Sequence, residues 1–233
     1  MTSLSYAVPP FVTPERTRVM ERLRRAWLPE KLTRAYLASG GSEAVDAACR
    51  LAVQHFRAKG DTKRWKIISR DISYHGTTLF TLGVAGHGAR KQGFEKLIPH
   101  MAQVPTPYSL RAPGGRHDPE YDVAAAQALE DTILREGPET VAAFLAEPIT
   151  GSSGGALMPG SRYWPMVREI CDRHGVLLIT DEVMVGFGRT GKRFACEHFG
   201  FVPDIMVSGK GFAGGYAPIV GVFASDEVVE PLV

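Results

Sequence analysis

Two acids and one lysine each follow a short apolar run of the chain: Glu147, Asp181 and Lys210. A carboxylate can carry a proton or pair with a cationic group, and a lysine amine with a lowered pKa attacks carbonyl carbons. Any one of these residues alone is typical of an ordinary loop charge. Three at equivalent positions favour a shared site for acid–base or covalent chemistry.

The apolar runs before these residues are predicted to be strands of one parallel sheet. Residues 141–146 are continuously apolar, as strands buried on both faces are. Because predicted helices separate the runs, we expect parallel pairing through right-handed crossovers and an α/β fold. Ligands of such sheets bind beyond the carboxyl ends of the strands, where the three charged residues stand. The predicted strands cover residues 66–69, 141–146, 176–180, 204–207 and 219–223.

Capping signals and apolar spacing predict the helices. Thr13 and Pro14 are typical of a helix start, whereas Gly60, Gly137 and Gly175 are typical of helix ends. A further short helix is expected after residues 74–76. The longer predicted helices cover residues 14–27, the stretch from Ser42 to Gly60, residues 122–135 and residues 162–174.

Composition argues against several classes of protein. The 233 residues carry a net charge of +2, which does not favour a nucleic-acid groove or a polybasic membrane surface. Three cysteines without CxxC spacing do not predict a disulfide framework, and the seven histidines lack the paired spacing of a metal site. No secretory signal or membrane-length apolar stretch is evident in the sequence. A soluble, cytoplasmic protein is therefore expected.

Two glycine-rich segments mimic other kinds of site. Residues 186–192 match most of a phosphate-binding P-loop, but Arg193 stands where a serine or threonine would hold magnesium. Residues 151–155 have the spacing of a serine-hydrolase elbow around Ser153, but residues 158–160 do not favour the helix that such an elbow needs. A nucleotide site is not expected, and a hydrolase remains an alternative.

Five short motifs in fixed order carry a specific resemblance. Together they resemble the class III pyridoxal-phosphate-dependent aminotransferases, also called ω-aminotransferases. The resemblance implies the large domain of a fold type I transferase, in which helices flank a mostly parallel sheet. The motifs are Ser39-Gly40-Gly41-Ser42-Glu43-Ala44, Tyr74-His75-Gly76, Glu147-Pro148, Asp181-Glu182-Val183 with Gly186-Phe187-Gly188-Arg189-Thr190-Gly191, and Ser208-Gly209-Lys210-Gly211.

The resemblance gives Lys210 and Asp181 the catalytic roles. Lys210 is expected to form the Schiff base with the aldehyde of pyridoxal 5'-phosphate (PLP), and its flanking glycines would let the backbone approach the cofactor. Asp181 is expected to pair with the pyridine nitrogen, which makes the ring a better electron sink. Lys192 is the competing lysine, but it stands in a loop between two arginines and the family pattern favours Lys210.

The same resemblance assigns the remaining cofactor-binding residues. Val183 would pack on one face of the ring and Tyr74 on the other, with His75 beside it. Gly41 and Ser42 open a helix whose N-terminal N–H groups suit the cofactor phosphate, although Ser42 as a simple N-cap is the alternative. Glu147 is expected near the cofactor or substrate. Glu182 should point to the opposite side of the strand from Asp181, and it is a second-rank candidate for the site.

The implied reaction transfers an amino group in two halves. An amine or amino acid donates the group to the cofactor, and a 2-oxo acid such as pyruvate or 2-oxoglutarate then accepts it. Family members are expected to be homodimers with the active site at the interface. An aminomutase of the same cofactor class, or a catalytically impaired fragment, is the alternative reading.

The length departs from the family pattern. Only 23 residues follow Lys210 and only 38 precede Ser39. We therefore expect residues 1–38 to be a truncated N-terminal segment and residues 39–233 to be the PLP-binding large domain. The small C-terminal domain, which in the family supplies an arginine for the substrate carboxylate, is expected to be missing.

Overall fold

The central element is one mixed β-sheet. The computed structural model describes residues 12–108, 110, 112–115 and 118–233, and seven strands among them pair in the order β1-β7-β6-β5-β4-β2-β3. Each strand predicted from the sequence is present. The strands are β1 (Arg34–Ala38), β2 (Lys66–Arg70), β3 (Gln103–Val104), β4 (Val141–Ala146), β5 (Leu177–Asp181), β6 (Ile205–Ser208) and β7 (Val220–Ala224).

The sheet is mostly parallel, as predicted, and the parallel pairing expected for the strand at residues 219–223 is the exception. Strands β2 to β6 pair in parallel, but β7 runs antiparallel to both β6 and β1. The link between β6 and β7, residues 209–219, holds only a 3₁₀ turn at Lys210–Ala213. A parallel return needs a crossover of about a dozen residues or more, usually with a helix. The short link therefore sends β7 back in the opposite direction.

The helices begin and end close to the predicted positions. Thr13 Oγ1 accepts from the backbone N of Arg16 at 3.2 Å, and Gly175 ends α6 in the left-handed conformation at φ 61°. Helix α5 begins at Pro119, capped by Asp118, so the predicted start at residue 122 is late. The helices are α1 (Pro14–Ala26), α2 (Gly41–Ala58), α3 (Leu79–Val84), α4 (Gly88–Lys91), α5 (Pro119–Glu136), α6 (Tyr163–His174) and α7 (Asp226–Val229).

Helices cover both faces of the sheet. Strand β4 is buried at every position, and its side chains alternate between two cores: Phe144 packs with the α5 and α6 side, and Leu145 with the α2 side. Complete burial of such a side chain stabilises the fold by about 1.5–3 kcal/mol. This burial on both faces explains why β4 reads as an unbroken apolar run.

Strands β4, β5 and β6 end at the same edge of the sheet, and the N-terminus of α2 lies at that edge. Strand β1 is part of this sheet, although its residues 34–38 fall in the segment expected to precede the large domain. Among the described residues, no helix combines the length and apolar composition needed to span a bilayer.

Candidate active site

A cleft of about 210 Å³ opens where β4, β5 and β6 end. All eight residues expected to contact the cofactor line it. The cleft is also lined by Met184, Ser152 and Val220, which were not predicted to contact the cofactor. Met184 is an apolar residue beside a recognised motif, Val220 is an apolar residue of the strand predicted at 219–223, and Ser152 carries a common loop side chain. The eight expected residues are Gly41, Ser42, Tyr74, His75, Glu147, Asp181, Val183 and Lys210.

Asp181 and His75 form a buried pair in the cleft. His75 Nδ1 lies 2.9 Å from Asp181 Oδ2, and Asp181 Oδ1 accepts from the backbone N of Val183 at 3.0 Å. Because a carboxylate can only accept, His75 Nδ1 donates. His75 Nε2 is buried and has no partner within the part of the chain that the structure describes. His75 therefore orients Asp181, in addition to standing next to Tyr74.

Glu147 links two segments of the cleft wall. Its Oε2 accepts from the backbone N of Tyr74 at 3.1 Å, and its Oε1 accepts from the backbone N of Gly151 at 2.9 Å. Burial raises the pKa of Glu147, while electrostatic interactions with His75 and Arg70 act to lower it. The carboxylate thus fixes backbone on both sides of the cleft.

The aromatic side chain of Tyr74 borders the cleft and is held by a cation. The guanidinium carbon of Arg90 lies 4.6 Å from the centre of the Tyr74 ring, within the range of cation–π attraction. The backbone N of Tyr74 is held by Glu147, as described above. Ring and backbone are therefore restrained by different groups.

Lys210 combines a strained backbone with an uncommitted amine. Its φ is +47°, a left-handed value that costs a residue other than glycine about 1–3 kcal/mol. No hydrogen bond or ion pair joins its Nζ to any other residue that the structure describes. Strain of this kind concentrates at functional sites.

The glycines on either side of Lys210 make room for neighbouring side chains. A Cβ at Gly209 would lie 2.8 Å from Val220 Cγ2, and one at Gly211 would lie 3.1 Å from Phe187 Cβ. Packing against Val220 and Phe187 therefore accounts for both glycines. Their expected role, close approach of the backbone to the cofactor, remains a prediction.

The N-terminus of α2 faces the cleft with free backbone donors. The N-cap is Gly40, so Ser42 lies inside the first turn and the alternative of Ser42 as N-cap is wrong. Ser42 Oγ instead accepts from the backbone N of Thr77 at 3.0 Å. The first N–H groups of a helix have no partner within it, and here they carry the positive end of an 18-residue helix. An anionic group in the cleft would meet these donors at Gly41 and Ser42.

Glu182 lies outside the cleft lining, as expected from its alternation with Asp181. Its two carboxylate oxygens accept from the backbone N of Ala195 at 2.7 Å and of Cys196 at 2.8 Å. Burial raises the pKa of Glu182 to about 7. Glu182 is therefore a brace for the loop beneath the cleft.

The segments that mimic other sites do not adopt the conformations those sites need. Residues 182–192 form turns and bends after β5 and open no helix within the described chain. Ser153 lies in a turn closed by the bridge between Thr150 and Leu157, away from any strand-to-helix elbow. Lys192 is exposed and does not line the cleft. The described residues also bring together no group of three potential metal ligands.

Comparisons with known proteins agree with the site geometry. The family model described as "Aminotransferase class-III" matches residues 2–233. A probable aminotransferase of Mycobacterium tuberculosis is 42% identical over 95% of this chain, which covers 47% of that relative. A putrescine–pyruvate aminotransferase of Pseudomonas aeruginosa is 39% identical over 88% of the chain and 44% of the relative.

Solved structures give the same result. An (S)-enantioselective ω-transaminase from Thermomicrobium roseum superposes with a TM-score of 0.89 at 39% identity, covering 94% of this chain and 49% of that one. An amine transaminase from an uncultivated Pseudomonas species, solved in its PLP-bound form, has a TM-score of 0.90 at 33% identity, with coverages of 97% and 51%.

The chain belongs to the class III aminotransferases, and the resemblance and fold class inferred from the sequence are confirmed. It spans about half the length of the curated relatives that it matches.

Proposed function

We propose that this chain is the cofactor-binding part of a PLP-dependent aminotransferase, with PLP bound in the cleft at the ends of β4, β5 and β6. The observation that carries the proposal is the convergence of three groups in one cleft: a lysine amine with no partner among the described residues, a buried carboxylate, and the first N–H groups of helix α2. These three features match the aldehyde, the ring nitrogen and the phosphate of PLP respectively.

The residues present fit that cofactor. Asp181 Oδ2 is held by His75, and the carboxylate keeps lone pairs for a protonated ring nitrogen. Val183 and Tyr74 are proposed to contact opposite faces of the ring. The first-turn N–H groups at Gly41 and Ser42 suit a phosphate. The PLP-bound transaminase from Pseudomonas supports the same choice.

PLP supplies an aldehyde that condenses with amines and a ring that withdraws electrons from the bond being broken. With PLP bound, Lys210 Nζ would hold the cofactor at its aldehyde carbon, and the same amine is proposed to carry the proton that leaves the amine-bearing carbon of the substrate. Asp181 would hold the ring nitrogen in its protonated form. Glu147 holds Tyr74 in place. The cleft walls thus bind and orient, while Lys210 alone moves the proton.

The substrates are proposed to be a primary amine or amino acid and a 2-oxo acid. The Pseudomonas aeruginosa relative is named for putrescine and pyruvate, and a Paracoccus denitrificans relative, 38% identical, is named for hypotaurine or taurine and pyruvate. These names support pyruvate as acceptor and favour an aminotransferase over an aminomutase.

Assembly, compartment and domain limits are further parts of the proposal. We propose a cytoplasmic homodimer with the active site at the interface, and a large domain at residues 39–233 to which residues 1–38 contribute β1. All three cysteines are buried and, within the described chain, free, which suits a reducing compartment. Light scattering on the full-length protein tests the dimer: a monomeric mass at micromolar concentration would contradict it.

Cofactor binding tests the central claim directly. The full-length protein is mixed with PLP and its visible absorbance is recorded before and after reduction with borohydride. We expect a protein-bound band that reduction fixes covalently to the peptide containing Lys210. The Lys210→Ala variant should lose both the band and the labelled peptide. Lys192→Ala is the matched control and should retain them.

Two outcomes would contradict the proposal. One is the absence of bound PLP in the wild-type protein at saturating cofactor, and the other is covalent labelling at Lys192. Conversion of a primary amine with pyruvate to an aldehyde and alanine then distinguishes transfer between two molecules from isomerisation within one. Product formed only from a single substrate would favour the aminomutase.

A further inference from the structure

Arg70, at the end of β2, is a buried cation outside the cleft lining. Its residue is completely buried, and Nε and Nη1 have no hydrogen-bond partner among the residues that the structure describes. Its guanidinium carbon lies 5.8 Å from the centre of the Trp164 ring. An arginine stays protonated in a protein, so this charge is buried at a cost that neighbouring groups must offset.

The bonds that Arg70 does make lead toward the cleft. Its Nη2 donates to the backbone O of Glu147, and its own backbone O accepts from Ser73 Oγ at 2.8 Å. Glu147 itself lines the cleft, and Ser73 stands directly before the lining residue Tyr74. Through its side chain Arg70 therefore contacts the backbone of Glu147, and through its backbone O it contacts the side chain of Ser73.

Glu147 passes this restraint to Tyr74. Its carboxylate accepts from the backbone N of Tyr74 and of Gly151, as described for the cleft. The charges of Arg70 and Glu147 are opposite and both are buried. Arg70 acts to lower the pKa of Glu147 against the rise that burial causes, so removal of Arg70 takes away one favourable interaction of this carboxylate.

We propose that Arg70 is a positioning residue: it holds Glu147 from behind the cleft and, through the Glu147 carboxylate, fixes the backbone of Tyr74. The consequence for the cofactor rests on the proposed function, because Tyr74 is the residue placed against one face of the PLP ring. Arg70 touches neither cofactor nor substrate. Its effect is on the geometry of the ring-facing side chain.

Arg64 offers a matched control at the opposite edge of the sheet. It also bonds backbone carbonyls, donating from Nη1 to the O of Val141 at 2.8 Å and from Nη2 to the O of His174 at 3.1 Å. Its guanidinium also lies over an aromatic ring, that of Phe56, at 4.8 Å. Loss of Arg64 should weaken the fold without reaching the cleft.

The test measures amide hydrogen exchange at Tyr74 in the full-length protein without PLP. We expect Arg70→Met to accelerate this exchange about tenfold, as loss of one charge-assisted hydrogen bond would. Arg70→Lys, which keeps the charge and one donor, should give a smaller acceleration. Arg64→Met should leave the Tyr74 amide unchanged. If Arg70→Met does not fold, the comparison is made with Arg70→Lys.

A second measurement adds PLP and records the circular dichroism of the bound cofactor, which reports ring orientation. We expect a weaker band in the Arg70 variants than in Arg64→Met. Exchange at Tyr74 that matches Arg64→Met would overturn the positioning role. Exchange that responds to Arg70 in a protein without any PLP band would uphold the Arg70–Glu147–Tyr74 link and refute the proposed function instead.

Discussion

The parallel strands of the sheet end at a cleft edge, where their carboxyl ends and the cleft lie, and at an amino edge, where their amino ends lie. A buried or half-buried glutamate at each of these two edges has opposite electrostatic surroundings. Glu182, beneath the cleft, is buried against backbone N–H groups, and burial raises its pKa to about 7. Glu130, on α5 near the amino ends of the strands, accepts from His174 and Arg173, which lower its pKa to about 2. At the cleft edge, ionisation of the buried Glu182 lowers the stability of the fold. At the amino edge, ionised Glu130 stabilises the contact between α5 and α6.

A similar contrast holds for several basic side chains. At the amino edge, Lys66 pairs with Glu136 at 2.9 Å and Arg64 bonds Asp61 at 3.0 Å. At the cleft edge, within the described chain, Lys210 Nζ has no hydrogen-bond or ion-pair partner, and Nε and Nη1 of Arg70 have no hydrogen-bond partner. Unsatisfied polar groups in a native structure point to a function, whereas satisfied ones serve the fold. The cleft edge is thus the one prepared to bind a polar ligand.

Replacing a buried aspartate at each edge gives the largest expected effect. Asp181 is at the cleft edge, and Asp204, at the amino edge, accepts from Lys31 and Arg168 at 3.1 and 2.9 Å. We expect Asp181→Asn to weaken PLP binding about 100-fold, since a charge-assisted bond to the ring nitrogen is lost. Asp204→Asn should lower the free energy of unfolding but leave the PLP dissociation constant unchanged. Equal PLP affinities in the two variants would contradict the division between edges.

A smaller effect concerns the pH dependence of stability at the cleft edge. The pKa of Glu182 rises from 4.5 to about 7 on folding, so the folded state holds a proton that the unfolded state has already lost. Its contribution is fully present below pH 4.5 and is lost as the pH rises through about 7. The free energy of unfolding, measured with urea, should therefore decline between pH 5 and 8 in the wild type. In Glu182→Gln this decline should be smaller by about 2 kcal/mol. Glu227→Gln, whose side chain is 83% exposed, is the control and should keep the wild-type slope.

The sequence predicted the buried strands and the site better than the outermost strand β1. An unbroken apolar run such as residues 141–146 identifies a strand buried on both faces, and the ordered motifs led to eight of the twelve residues that line the cleft. Strand β1 has no such signal, because it is the outermost strand of the sheet and leaves Tyr36 54% exposed. The role of Arg70 has no signal in the sequence either, because it depends on the contact between its side chain and the backbone O of Glu147. That contact between residues 77 positions apart exists only in the fold.

The smallest expected effect tests the amino edge. The pKa of Glu130 falls from 4.5 to about 2 on folding because His174 and Arg173 donate to its carboxylate. This contribution is present above pH 4.5 and is lost as the pH falls through about 2, opposite in sign to that of Glu182. Glu130→Gln should therefore flatten the acid limb of the unfolding free energy by about 0.5–1 kcal/mol, a modest amount because the pair is partly screened by solvent. Glu120 lies on the same helix as Glu130 and forms an exposed ion pair with Arg162. The Glu120→Gln variant should leave the acid limb unchanged. An acid limb in Glu130→Gln as steep as in the wild type would show that the charges of this edge do not tie α5 to α6.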